Sequence, residues 1–183
     1  LMAEHPRSFS PPYAYARLLL EMERYEEAAN HFRQVLKIHR GHAMAHDGLA
    51  MAVHGLARRA EGLVDYSEAT RLSIVAEREF RSAIYWAGVA QDKQAVFFTH
   101  LGWFYVDRGR WSDAHGAFDQ AANEAPEYFG NYWGKGRALV GLKRWRDAAS
   151  ALRTAQEKAT DSLGPPASAD IQQLIQQCET ALT

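Results

Sequence analysis

An all-α solenoid of helical hairpins is expected from three features of the 183-residue chain: its composition, a pattern that recurs 34 positions on, and turn residues falling between amphipathic stretches. There are 31 alanines and 16 leucines against 8 valines, 5 isoleucines and 6 threonines. Alanine and leucine lose little freedom in a helix, whereas the scarce β-branched residues are those that favour strands. Abundant alanine also suits closely packed helices, since a methyl group lets two backbones approach.

The recurrence is read residue by residue. Leu101, Gly102, Tyr105, Trp111, Ala114, Phe118, Ala121 and Pro126 stand at fixed offsets, and a shift of 34 brings Gly136, Leu139, Trp145, Ala148, Leu152 and Ala155 onto six of those places. A further copy lies upstream in Ala16, Leu19, Tyr25, Ala28, Phe32 and Val35. A fixed period of this size marks helical hairpins stacked one on the next. Gly102 and Ala114 fall on the two helices of one hairpin, where small side chains permit close contact, and Tyr105 and Phe118 fill the space between helices. Gly109 stands where the chain must turn. Pro126 discourages continuation of the second helix. With Phe98 in the leading aromatic place, the run from Leu101 to Pro126 resembles a tetratricopeptide repeat.

Four hairpins are expected, over about 11–40, 43–88, 93–125 and 128–159, in a single domain of residues 11–183. The first ten residues are expected to be loosely ordered, and Leu1 before Met2 suggests a fragment or a cloning scar. The second hairpin departs from the others. Ala16 to Ala28, Gly102 to Ala114 and Gly136 to Ala148 are each twelve apart, whereas Ala50 pairs best with Ala76, a separation of 26. No Pro/Gly-rich insert accounts for the 14 extra residues, and Ala43 to Arg59 and Ser67 to Trp86 both read as long amphipathic helices. That implies a hairpin longer by about two turns per helix, or about 10 Å, turning near Gly62-Leu63-Val64-Asp65. Gly41 suits a helix C-cap, and Gly88 to Asp92 makes the connection into the third hairpin. Gly164-Pro165-Pro166 is expected to break the chain. The stripe Ile171, Leu174, Ile175, Cys178 and Leu182 then marks a capping helix over 168–182.

The balance of 21 Lys+Arg against 22 Asp+Glu is not the footprint of a general nucleic-acid binder. No apolar run approaches the ~20 residues of a membrane helix, and no secretory leader opens the chain, so a cytoplasmic protein without membrane insertion is expected. A single cysteine excludes an internal disulfide. No nucleophile motif, phosphate-cradling glycine loop or metalloprotease motif occurs, so a non-enzymatic protein without cofactor is expected. His42 and His46 are four apart, a spacing compatible with a metal. No nearby Cys, Asp or Glu completes a closed set, however, and His46 stands where a packing aromatic belongs, so His39, His42, His46 and His54 are read as structural. Cys178 is read as a buried thiol on the capping stripe. The basic run Lys135, Arg137, Lys143, Arg144, Arg146 and Arg153 admits a nucleic-acid or acidic-protein contact. A solvated turn is the preferred reading of it, since no RNA-binding motif accompanies the run.

The resemblance implies that the first helices of successive hairpins line a concave groove that holds peptides. Carried over by position, the groove residues are Tyr13 and Arg17, Met51 and His54, Trp103 and Asp107, and Trp133 and Arg137. Trp103 and Asp107 are one helical turn apart, as are Trp133 and Arg137, so each pair points one way. Tryptophan, tyrosine and arginine are enriched in binding hot spots. The alternative is that Trp103 and Trp133 pack on adjacent hairpins and stiffen the array. Family members that clamp acidic chaperone tails place basic residues and asparagine at positions held here by Tyr13, Arg17, Gly48, Val96 and His100. With one basic residue among these five, that clamp is not expected. The expected function is therefore a scaffold binding a protein or peptide of apolar or mixed character. The alternatives are a regulatory or substrate-recruiting segment of a larger enzyme, or a small chaperone or assembly factor. The sequence leaves the oligomeric state open.

Overall fold

The computed structural model describes residues 11–159 and 165–183, and the expectations for 1–10 and for Gly164 lie outside that range. Among the described residues there are nine α-helices and no strand: α1 (Pro11–Glu21), α2 (Tyr25–Ile38), α3 (Ala43–Gly62), α4 (Tyr66–Val89), α5 (Ala95–Asp107), α6 (Trp111–Glu124), α7 (Phe129–Gly141), α8 (Trp145–Lys158) and α9 (Pro165–Thr180). The class is the all-α solenoid of helical hairpins that the repeat implies. The helices fall into two compact units, the first ending at Asp92 and the second starting at Lys93. In the first unit α1 packs on α2, α2 on α3, α1 on α3, and α3 on α4. The second unit repeats the scheme from α5 to α8, and α9 packs on α8 and α7.

Each second helix begins on an aromatic residue: Tyr25, Tyr66, Trp111 and Trp145. The residue before it supports the helix start in one of two ways, and only Asp65 does so as a side-chain cap. Asp65 accepts the Glu68 N–H at 3.0 Å. Arg24, Arg110 and Arg144 instead donate to Glu27, Asp113 and Asp147 in the first turn, where carboxylates also complement the helix dipole. The turns themselves share one geometry. Arg24 N–H reaches Leu19 O (2.9 Å) while Glu23 N–H reaches Leu20 O (3.0 Å), and the same two bonds recur after α3, α5 and α7. This closing of orphan carbonyls needs one left-handed residue. It is Glu23, Val64, Gly109 and Lys143 in turn, with φ of 56°, 62°, 66° and 58°.

The extra residues of the second hairpin flank its turn. From Ala50 to the end of α3 is twelve residues, against five from Gly102 to the end of α5. Tyr66 opens α4 ten residues before Ala76, whereas Trp111 opens α6 three before Ala114. Seven residues on each side are about two turns, as the spacing predicts.

One large residue per second helix fills each hairpin: Phe32, Phe80, Phe118 and Leu152, all buried. Glycines on the first helices admit Phe32, Phe118 and Leu152. A Cβ on Gly102 would stand 2.8 Å from the Phe118 ring, and one on Gly134 would overlap the same ring from the other side. Gly41 is not the left-handed cap that its position suggests. It lies beneath Trp86, where a Cβ would meet the indole at 2.9 Å, and α2 ends instead on His39. Nor is His46 an aromatic filler. Its Nδ1 lies 2.8 Å from Glu79 Oε2 and its Nε2 2.9 Å from Arg40 O, tying α3 to α4 and to the connection before α3. Burial pushes the Glu79 carboxyl up, but hydrogen bonds from His46 and Arg78 outweigh it and hold the group below 4.5. In the cap, Ile171 and Cys178 of α9 are buried with Leu139 and Leu152, and burial pushes the Cys178 thiol up.

Candidate functional site

Two positions on each first helix decide what the site looks like. The first lies three residues before the small packing residue: Tyr13, Asp47, Thr99 and Trp133. The second lies one residue after it: Arg17, Met51, Trp103 and Arg137. Three of the first-position side chains reach a later helix of their own unit. Tyr13 stacks on His42 at the start of α3 (5.2 Å between centroids) and meets Phe32 edge-on (5.9 Å). Thr99 donates to Asn131 Oδ1 of α7 at 2.7 Å. Trp133 donates from Nε1 to Asp170 Oδ2 of α9 at 2.6 Å. Tyr13 is only 2% exposed and serves packing rather than an accessible surface. Its expected groove role is corrected on that ground. Burial, with the Asp47 carboxylate, pushes its phenol up against the opposing pull of Arg17.

The second position stays more open. Arg17 is exposed and pairs with Glu21 at 3.6 Å, while Met51 and His54 are half-buried on α3. The second unit brings its set together. Trp103 and Trp133 meet edge-to-face with centroids 5.0 Å apart, and Trp103 meets Phe118 the same way at 5.3 Å. The Arg137 guanidinium lies 5.9 Å from the Trp103 ring centre and donates to both Asp170 oxygens at 3.2 and 3.3 Å. Both tryptophans are half-buried, and Asp107 is exposed at the end of α5. The result is a ledge of two preset indoles, their electrostatics fixed by one cation and one carboxylate. Asp170 was not among the sequence candidates, because its role depends on where α9 docks. The available signal was its place as the one acid between Pro165 and Cys178, next to the first residue of the capping stripe.

The basic run is largely matched by carboxylates. Lys135 pairs with Asp119, Arg137 with Asp170, Arg144 with Asp147 and Arg153 with Glu179. Among the histidines, His42 accepts the Ala45 N–H at Nδ1 (3.1 Å) and so caps α3. No group of three or more His, Cys, Asp or Glu that could hold a metal occurs among the described residues, and no described helix is long and apolar enough to cross a membrane.

No curated protein matches the chain by sequence. Among solved structures it is similar to TTC0263, a thermophilic TPR protein of Thermus thermophilus, at TM-score 0.72 and 17% identity over 98% of this chain and 84% of that one. It is also similar to MamA 41-end from Desulfovibrio magneticus RS-1, at TM-score 0.64 and 12% identity over 93% and 89%. At such identities the likeness is one of fold. The family model described as Tetratricopeptide repeat matches residues 13–69 and 101–169, more than half of the sequence. With the repeat, the hairpins and the model in agreement, the chain belongs to the tetratricopeptide repeat family.

Proposed function

We propose that the chain is a protein-interaction scaffold and that it takes a partner segment on the ledge formed by Trp103, Trp133 and Arg137. Tetratricopeptide folds are in general protein-interaction modules. The observation that carries the finer reading is the Trp103–Trp133 edge-to-face pair, pinned from both ends by Phe118 and Asp170. Side chains already held in place lose little entropy when a partner arrives. Asp170 offsets the Arg137 charge, so the ledge favours an apolar or aromatic partner side chain over a strongly acidic one. Asp107, one turn from Trp103, supplies a polar rim. Arg17, Met51 and His54 form the corresponding face of the first unit and add register or polarity to the same kind of contact. Affinity comes mainly from apolar area, at about 25 cal/mol per Å² before ordering costs.

The test is affinity capture from native extract with the wild type and with Trp103→Ala/Trp133→Ala. Helicity is expected to persist by circular dichroism while partner recovery falls at least tenfold. Undiminished recovery by a folded double variant removes the ledge from the account.

A further inference from the structure

α4 turns one face to α3 and a different one outward. Ala69, Ala76, Phe80, Ala83 and Ala87 are its buried apolar residues. Ile74, Arg78, Arg81 and Tyr85 follow a spacing of four, three and four, which is the seam a second helix reads. Ile74 and Tyr85 are 66% and 63% exposed, and the same four residues line a depression of about 470 Å³ together with Glu77 and Ser82. The charges on this face are layered by depth. Arg78 pairs with Glu79 at 2.8 Å, and the arginine side chain is 69% exposed against 10% for the glutamate. Arg81 pairs with Glu77 at 3.0 Å, at 61% against 21%. Each guanidinium is more exposed than the carboxylate it pairs with, and although Glu77 also lines the depression, the outermost charges on this face are cationic while the pairs are formally neutral.

We infer that this face of α4 docks an acidic amphipathic helix of a partner protein, with Ile74 and Tyr85 as apolar anchors and Arg78 and Arg81 facing its carboxylates. None of its residues belongs to the Trp103–Trp133 ledge, and it stands or falls without that site. A planar guanidinium with several donors suits a carboxylate better than a point charge would, and its preset direction limits the ordering cost. Charge matching of this kind contributes chiefly to encounter rate and partner choice, while Ile74 and Tyr85 contribute buried area.

The experiment uses the full 183-residue chain and a fluorescein-labelled peptide of about 18 residues, five helical turns, with a leucine seam flanked by glutamates. A companion peptide carries lysine at every glutamate position. By fluorescence anisotropy the acidic peptide is expected to bind at least tenfold more tightly than the basic one and to weaken as salt rises. Arg78→Gln/Arg81→Gln should weaken it at least tenfold. Ile74→Ser/Tyr85→Ser, which alters only exposed side chains, should do the same with helicity unchanged. Trp103→Ala/Trp133→Ala should leave this binding intact. Equal binding of the two peptides, no binding of the acidic one, or loss only in the tryptophan variant would each overturn the inference. So would a dimer of the free chain that the Arg78/Arg81 variant dissociates, since that outcome assigns the face to a second copy.

Discussion

His42 joins local structure to pH. Its Nδ1 accepts the Ala45 N–H at the start of α3, sharing it with the His42 carbonyl, and its ring stacks on buried Tyr13. A protonated Nδ1 cannot accept, so folding favours the neutral ring. Burial holds the group below 6.5, with the charges of His39 and His46 pulling the same way against its own backbone bond. Through this window the unfolded chain binds more protons than the folded one, so the His42 contribution is full above 6.5 and is lost as pH falls below it. His42→Asn keeps a capping acceptor that does not titrate. Urea midpoints taken from about pH 7.5 to 5.5 should fall more steeply for the wild type than for the variant. Parallel slopes would take the cap out of the pH response. The one-turn spacing that joined Trp133 to Arg137 was legible in the sequence, since a helix fixes it. The burial of Tyr13 and the arrival of Asp170 were not, because both depend on which side chain of the next helix lies opposite, a choice made 29 to 37 positions away.

At the level of helices and turns the repeat was nearly transparent. Small residues twelve apart located three hairpins, and a separation of 26 located the long one and its turn. What the spacing could not convey was which residue each turn forces into the left-handed region. Three of the four hairpin turns use a residue other than glycine, and one uses Val64 at φ 62°. A β-branched residue there is strained, because its Cβ substituents meet the backbone. Val64 is also exposed, so it returns little packing in compensation. Val64→Gly relieves about 1–2 kcal/mol of strain and gives back part of it through the greater freedom of glycine in the unfolded chain, about 0.5–1 kcal/mol. The balance favours the variant. Thermal unfolding should show Val64→Gly raising Tm by a few degrees and Gly109→Val lowering it. A drop for Val64→Gly would mean that the tip is held by contacts its torsion angles do not reveal.

For the whole molecule, the division after Asp92 left little compositional trace: Gln91 to Gln94 is a polar run of four without Pro or Gly, of the kind any turn between helices can carry, and the periodic pattern resumes directly after it. Composition could not mark the boundary, since α5 is built from the same repeat chemistry as α1. In a solenoid each hairpin contacts only its neighbours, so a defect should spread through adjacent helices and fade. Leu152 tests this. It is fully buried, faces Gly136 of α7, and shares its cluster with Leu139, Ile171 and Cys178, so a cavity there loosens α8 from both α7 and the cap. Leu152→Ala should cost about 2–5 kcal/mol locally. Phe32 and Gly48, which hold α2 against α3, lie outside that cluster. Hydrogen exchange followed by mass spectrometry should therefore show protection falling in α7, α8 and α9 while α2 and α3 keep theirs. Equal loss from α1 through α9 would mean that the chain unfolds as one cooperative body, and nearest-neighbour packing would then no longer describe its stability.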